Sequence, residues 1–144
     1  MSGPVPPGWT RRALRGLPVG LEALWTRRAE DGTWRYGALY DERHCNAQGF
    51  VHGGALMTLL DHGLSLLLWE AVGRAPCATV HLDCHFLAPL RAPCFVELDG
   101  RILKRGRNTA FLRGTLLCRG EPVAEATGVW SVLDRERDFR PEPR

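Results

Sequence analysis

The stretch Asn46-Ala-Gln-Gly-Phe-Val-His-Gly-Gly54, then Ala55-Leu-Met-Thr-Leu-Leu60 and Asp61, opens the longest apolar run of the chain. Leucine dominates from Ala55 to Val72, and Gly73 with the nearby Pro76 ends the run. A Gly-Gly start and a Gly/Pro stop read as the two ends of one long helix. Asp61, His62, Ser65 and Glu70 interrupt it. An ionised Asp near mid-span is costly in lipid, so a buried core helix fits better than a membrane span. Such a helix is apolar around most of its circumference and must be covered on most sides.

What covers it is legible on both sides. Before it, Trp34, Tyr36, Ala38 and Tyr40 alternate with Arg35, Gly37 and Leu39, a strand pattern over residues 33–40, followed by a polar loop from Asp41 to Gln48. After it the chain reads as strands. Residues 78–87 put Val80, Leu82, Cys84 and Phe86 on one face; residues 94–104 put Val96, Leu98 and Ile102 together. Residues 109–118 align Ala110, Leu112, Leu116 and Cys118, and 122–133 continue the series. Lys104-Arg-Gly-Arg-Asn108 and Arg119-Gly-Glu-Pro122 suit hairpin turns. The pattern predicts one strand, one apolar helix and a four-strand antiparallel meander, an α+β domain with a curved sheet wrapped around its helix. Residues 1–32 read as a tail with a short helix or turn around Leu17 to Arg28, residues 33–134 as the domain, and 135–144 as a charged tail.

A length of 144 residues allows one compact domain. A formal charge of +3 permits an anionic small ligand but falls short of the basic footprint of a nucleic-acid binder. Met1 to Trp9 carries Pro and Gly where a secretory signal needs a charged start and an apolar run, so a cytoplasmic location is expected. Five cysteines without a C-x-x-C pair then read as reduced thiols. His81 and His85 share a strand face but stand about 13 Å apart at ~3.3 Å per residue, too far for one metal ion, and no metal is expected.

Two features of the opening stretch carry chemistry. Gly53-Gly54 at a helix start leaves backbone amides unpaired and sterically open, with the positive end of the helix dipole behind them, a site for an oxyanion or phosphate. Asp61 lies among Met57, Leu60, Leu64 and Leu68, where desolvation is expected to raise the pKa of its carboxylate and make it a useful base. The two stand eight residues apart, roughly 12 Å at ~1.5 Å per residue. An oxyanion donor and an attacking group must both lie about 3 Å from one carbonyl. Either Asp61 is not catalytic, or a second subunit's antiparallel helix supplies it across a two-fold axis.

The pattern N-x-x-G-x-x-H-G-G-x6-D from Asn46 to Asp61 resembles the PaaI-type branch of hotdog-fold thioesterases. The likeness runs from about Tyr40 to Leu133 and takes in Thr79-Val-His-Leu-Asp-Cys-His-Phe-Leu-Ala-Pro89 and Lys104-Arg-Gly-Arg107. It implies hydrolysis of an acyl-CoA thioester, with CoA present only as part of the substrate and no other cofactor. Asp61 would act as general base or nucleophile, and the Gly53 amide, with Gly54 beside it, would polarise the carbonyl. Asn46 would position water or carbonyl, and His52 would support the loop and orient the thioester. Thr79 would help hold the water from the subunit that supplies Asp61. Lys104, Arg105 and Arg107 would meet CoA phosphates, to which guanidinium groups are well suited. The acyl group would lie near Met57, Leu60 and Leu64. An obligate homodimer, with tetramers open, and no nucleic-acid or membrane partner complete the expectation. Two alternatives stay open: a non-catalytic acyl-CoA-binding module, and a hydratase or dehydratase. The second fits less well because Asp61 and His62 are adjacent and point to different helix faces.

Overall fold

The computed structural model describes residues 4–134; the C-terminal segment 135–144, read as a charged tail, lies outside the described residues. Seven strands form one antiparallel sheet: β1 (Thr10–Arg12), β2 (Leu24–Arg28), β3 (Trp34–Tyr40), β4 (Cys77–Phe86), β5 (Cys94–Arg105), β6 (Thr109–Cys118) and β7 (Glu121–Val132). A single α-helix, α1 (Gly53–Ala71), packs on one face, and a short 3-10 turn spans Glu42–His44. This is the hotdog arrangement of helix and sheet expected from the sequence.

Two differences from the expected layout matter. The segment read as a tail with a short helix or turn instead carries β1 and β2, which extend the sheet beyond β3. The later strands are also not a simple meander, because the sheet order is β1-β2-β3-β5-β6-β7-β4. Strand β4 stands at the far edge beside β7, and the loop after it returns past the start of α1 to place β5 next to β3. That loop is tied down where it passes, with the Val51 amide donating to Leu90 O at 2.9 Å. Hydrophobic alternation reports which face a residue takes but not which strand lies beside it, so the crossover left no mark in the pattern.

The core forms where α1 meets the sheet. Leu59, Leu60, Leu64 and Leu68 are fully buried, as are Val96, Ala110, Leu112, Leu116 and Trp130 from the strands. Each such leucine contributes about 1.5–3 kcal/mol of hydrophobic stabilisation. Helix and sheet approach closely because glycine faces leucine at the contact. A Cβ on Gly63 would stand 2.4 Å from Leu98 Cδ2, and one on Gly114 would stand 2.8 Å from Leu98 Cδ1. Leu98 is therefore clamped from both sides and cannot turn from one glycine without entering the space of the other.

The helix ends are equally defined. Tyr40 Oη donates to the Ala55 carbonyl at 3.0 Å, fastening the first turn of α1 to β3. At the other end Gly73 takes a φ of 66°, a left-handed conformation that stops the helix where the sequence placed its end. The β6–β7 turn uses Arg119 and Gly120 at φ 52° and 82°, as a two-residue hairpin turn requires.

Gly63→Ala is expected to destabilise the fold by about 1–3 kcal/mol despite alanine's better helix propensity, because overpacking at Leu98 outweighs it. Urea unfolding monitored by circular dichroism reads the difference; an unchanged midpoint would contradict the clamp.

Candidate active site

The first half of the site is the loop that leads into α1. Asn46 organises it: the side-chain oxygen accepts from the amides of Gln48 at 3.0 Å and Phe50 at 3.1 Å. With that oxygen occupied, the carboxamide nitrogen is left as a donor without a partner among the described residues. His52 occupies the N-cap position and makes no side-chain capping bond. Its amide donates to His44 O at 2.9 Å, so the backbone of His52 supports the loop while its imidazole is exposed. The first-turn amides of Gly53 and Gly54 thus stay uncapped at the positive end of the helix dipole.

These groups border a cleft of about 400 Å³ lined by Asn46, Gly53, Leu56, Phe86 and Leu90 among others. Gly53 lets the Phe86 ring approach closely, since a Cβ at that position would stand 3.2 Å from it. The Phe86 contact had no sequence signal: it joins the end of β4 to the start of α1, which are far apart in the chain.

The second half is Asp61, two helical turns further on. Thr79 Oγ1 donates to Asp61 Oδ1 at 2.5 Å, which places the two groups together in one chain. Asp61 Oδ2 has no hydrogen-bond partner among the described residues. A β-bulge makes the contact possible. Thr79 pairs with Trp130 and His81 with Val129, so Val80 is the extra residue. Past the bulge, Leu82 and Cys84 pack toward the core, and before it Thr79 turns to the same side. The expectation that Val80 faces inward is corrected: it is 66% exposed. Asp61 itself is half-buried, so one chain supplies only part of the water exclusion expected around it.

The neighbours of Asp61 limit what else can react. Burial, then Asp83 and Asp61, push the Cys84 thiol up, so it stays protonated rather than serving as a nucleophile. Burial lowers the pKa of His62, with the charge of Asp61 opposing in part, so its imidazole favours the neutral form. Among the described residues no group of three His, Cys, Asp or Glu side chains could hold a metal ion.

The remaining expected site residues are placed as follows. Leu60 and Leu64 are completely buried in the core, whereas Met57 is 37% exposed on the flank of α1. In one chain Leu60 and Leu64 are therefore under the sheet and do not line an open acyl pocket. Lys104, Arg105 and Arg107 are exposed at the β5–β6 hairpin. Arg105 Nη1 donates to Ala71 O at 2.8 Å, capping the C-terminal end of α1. The hairpin thus lies at the opposite end of the helix from Gly53, about 27 Å away by helical rise.

The lowered His62 pKa carries a sign. As pH falls below the ordinary 6.5, the unfolded chain takes the proton first. The stability due to neutral His62 is complete above that value and is lost as pH falls toward the lower folded-state pKa. Urea midpoints measured between about pH 7 and 5 should decline, and His62→Gln should flatten the decline.

Comparison with known proteins identifies the family. The model of the thioesterase superfamily matches residues 48–125, a span that holds the amide turn, Asp61 and Thr79. "Putative esterase PA0474" of Pseudomonas aeruginosa is 36% identical over 93 residues, covering 64% of this chain and 69% of that protein. Acyl-coenzyme A thioesterase 13 of Homo sapiens is 30% identical over 71 residues, 49% of this chain and 51% of that protein, so the match spans about half of its length. A mutant of the phenylacetic acid degradation protein PaaI from Thermus thermophilus superposes with a TM-score of 0.65 at 26% identity, covering 69% of this chain and 84% of that one. A half-buried carboxylate held by a threonine, an uncapped glycine turn and the family match together place this chain in the thioesterase superfamily, among its PaaI-type hotdog members.

Proposed function

We propose that this chain hydrolyses acyl-CoA thioesters to a carboxylic acid and free CoA, at sites assembled between two copies. The observation that carries the reading is the Thr79–Asp61 hydrogen bond at 2.5 Å, which fixes one carboxylate oxygen and leaves the other free. Acyl-CoA as the substrate rests on the likeness to acyl-coenzyme A thioesterase 13. In the general-base form, Asp61 takes a proton from water and the hydroxide attacks the thioester carbonyl. The Gly53 amide, with Gly54 beside it and the Asn46 nitrogen, receives the developing oxyanion. The carbon–sulfur bond then breaks and the departing thiolate recovers the proton from Asp61. In the nucleophilic form Asp61 attacks the carbonyl first and expels the CoA thiolate; water then opens the resulting anhydride, releasing the acid and the Asp61 carboxylate, and a proton from that water passes to the thiolate.

Three features support dimerisation. Asp61 and Gly53 stand about 12 Å apart on one rigid helix, too far to serve one carbonyl. The flank of α1 that carries Met57, Asp61, His62 and Trp69 is only partly covered by its own sheet. Strand β4 leaves a ten-residue edge unpaired beside it, with Val80, Phe86 and Leu87 exposed. A two-fold partner with its helix antiparallel would bring each Asp61 to the other chain's Gly53. The same rotation carries the Lys104–Arg107 hairpin of one chain to the Asn46–Gly54 half of the other, where CoA phosphates would need cations. No helix among the described residues is long and apolar enough to cross a membrane, and we propose a cytoplasmic location.

Asp61→Asn should retain folding and CoA binding while lowering kcat by two or more orders of magnitude in a thiol-release assay. Full activity in that variant removes Asp61 from the mechanism. Mixing inactive Asp61→Asn and Asn46→Ala chains after unfolding should restore about one quarter of wild-type activity, since half the random dimers hold one intact site of two. No recovery on mixing would mean that both halves of the site lie in one chain.

A further inference from the structure

One cavity, at the far end of α1 from Gly53, has no part in the reaction outlined above. It opens where β3 and β5 separate. The two strands pair from Tyr40↔Cys94 to Tyr36↔Leu98, and β5 then runs on to Arg105 paired with β6 but no longer with β3. The wedge is about 600 Å³, within the range of small-molecule sites, and its walls are Trp34, Tyr36, Leu67, Ala71 and Ile102. Glu70, at its rim, lies nine residues beyond Asp61 on α1, about two and a half turns and roughly 14 Å along the axis. The cavity is therefore on the opposite flank of the helix from Asp61, away from the β4 edge.

Tyr36 marks this cleft as more than a packing defect. The residue is 5% exposed and lines the cleft, and its hydroxyl has no hydrogen-bond partner among the described residues, so it is open to a molecule held there. Burial and then the charge of Glu70 push its pKa up to about 12, so it remains a neutral donor at any physiological pH.

Charge narrows the class of ligand. Arg28, Arg35 and Arg101 are balanced around the cleft by Asp31, Glu70 and Asp99. Arg35 is paired with Asp99, and Arg74 sits 3.4 Å from Glu70. The Arg28 guanidinium stacks 4.6 Å over Trp34 and donates to Gly32 O at 3.1 Å. With the signs matched, the cleft offers no net attraction to an ion and an apolar floor to a neutral molecule. We propose that the β3–β5 wedge is a second ligand site, taking an uncharged, largely apolar molecule with one hydrogen-bond acceptor that meets Tyr36 Oη.

The test uses three probes with one bicyclic body: 2-naphthol, naphthalene and 2-naphthoate, titrated into the full chain by ligand-observed NMR. Tyr36→Phe removes only the unpartnered hydroxyl, and Ala71→Trp fills the mouth from an exposed helix position. Circular dichroism checks that both fold. The expected result is that 2-naphthol binds more tightly than the other two. Tyr36→Phe should weaken it about fivefold, the value of one hydrogen bond, without changing naphthalene binding, and Ala71→Trp should abolish it. Wild-type affinity for 2-naphthol in either folded variant overturns the proposal. So does tighter binding of 2-naphthoate, or the absence of 2-naphthol binding to the wild-type chain. None of these outcomes depends on thioester hydrolysis, so the two readings fail separately.

Discussion

The clamp of Leu98 between Gly63 and Gly114 sets the seat of the helix on the sheet, and the functional geometry follows from that seat. Helix α1 carries both chemical groups, the amide turn at its start and the carboxylate in its middle. A larger side chain at either glycine would lift the helix and move both groups together. The Tyr40–Ala55 hydrogen bond and the Arg105–Ala71 cap hold the two ends of α1, so the clamp positions a rod already fixed along its length. The core is thereby also the frame that aims the site, and its tolerance for substitution is correspondingly small.

On the proposed mechanism, the same helix leaves one chain with only half of each site. Rigid helical rise separates donor amides from base by a distance that no side-chain rotamer can close. Asp61 and the amide turn accordingly look to different surroundings: the first to a bulged edge strand, the second to a cleft closed by Phe86. Around Asp61, Thr79 directs one oxygen, while burial keeps the neighbouring Cys84 as a thiol and His62 as a neutral imidazole.

Much of this was legible in the sequence because it is local. The Gly-Gly opening, the leucine run and its Gly73 stop gave the helix to within a residue or two, and period-two alternation gave five of the seven strands. The motif from Asn46 to Asp61 likewise pointed to both halves of the site. What escaped was non-local or depended on small breaks in register. Strands β1 and β2 are short and lie at the margin of the sheet, where exposed positions blur alternation. The placement of β4 beside β7 depends on a crossover that composition does not encode. The bulge at Val80 looks like a continuation of the inward set, because valine suits either face. Leu60 and Leu64, read as pocket residues beside Asp61, are on the sheet-facing side of the helix and serve the core instead.

The bulge at Val80 has a further effect on solubility. An unpaired edge of ten residues is the kind of surface on which strands add without limit. A kink near its start raises the local twist, so an incoming strand of ordinary pleat loses register at that point. His81, Asp83 and His85 along the exposed side add polar groups that disfavour indiscriminate stacking. One inserted residue thus turns Thr79 toward the carboxylate and also breaks the regular edge along which further strands could add.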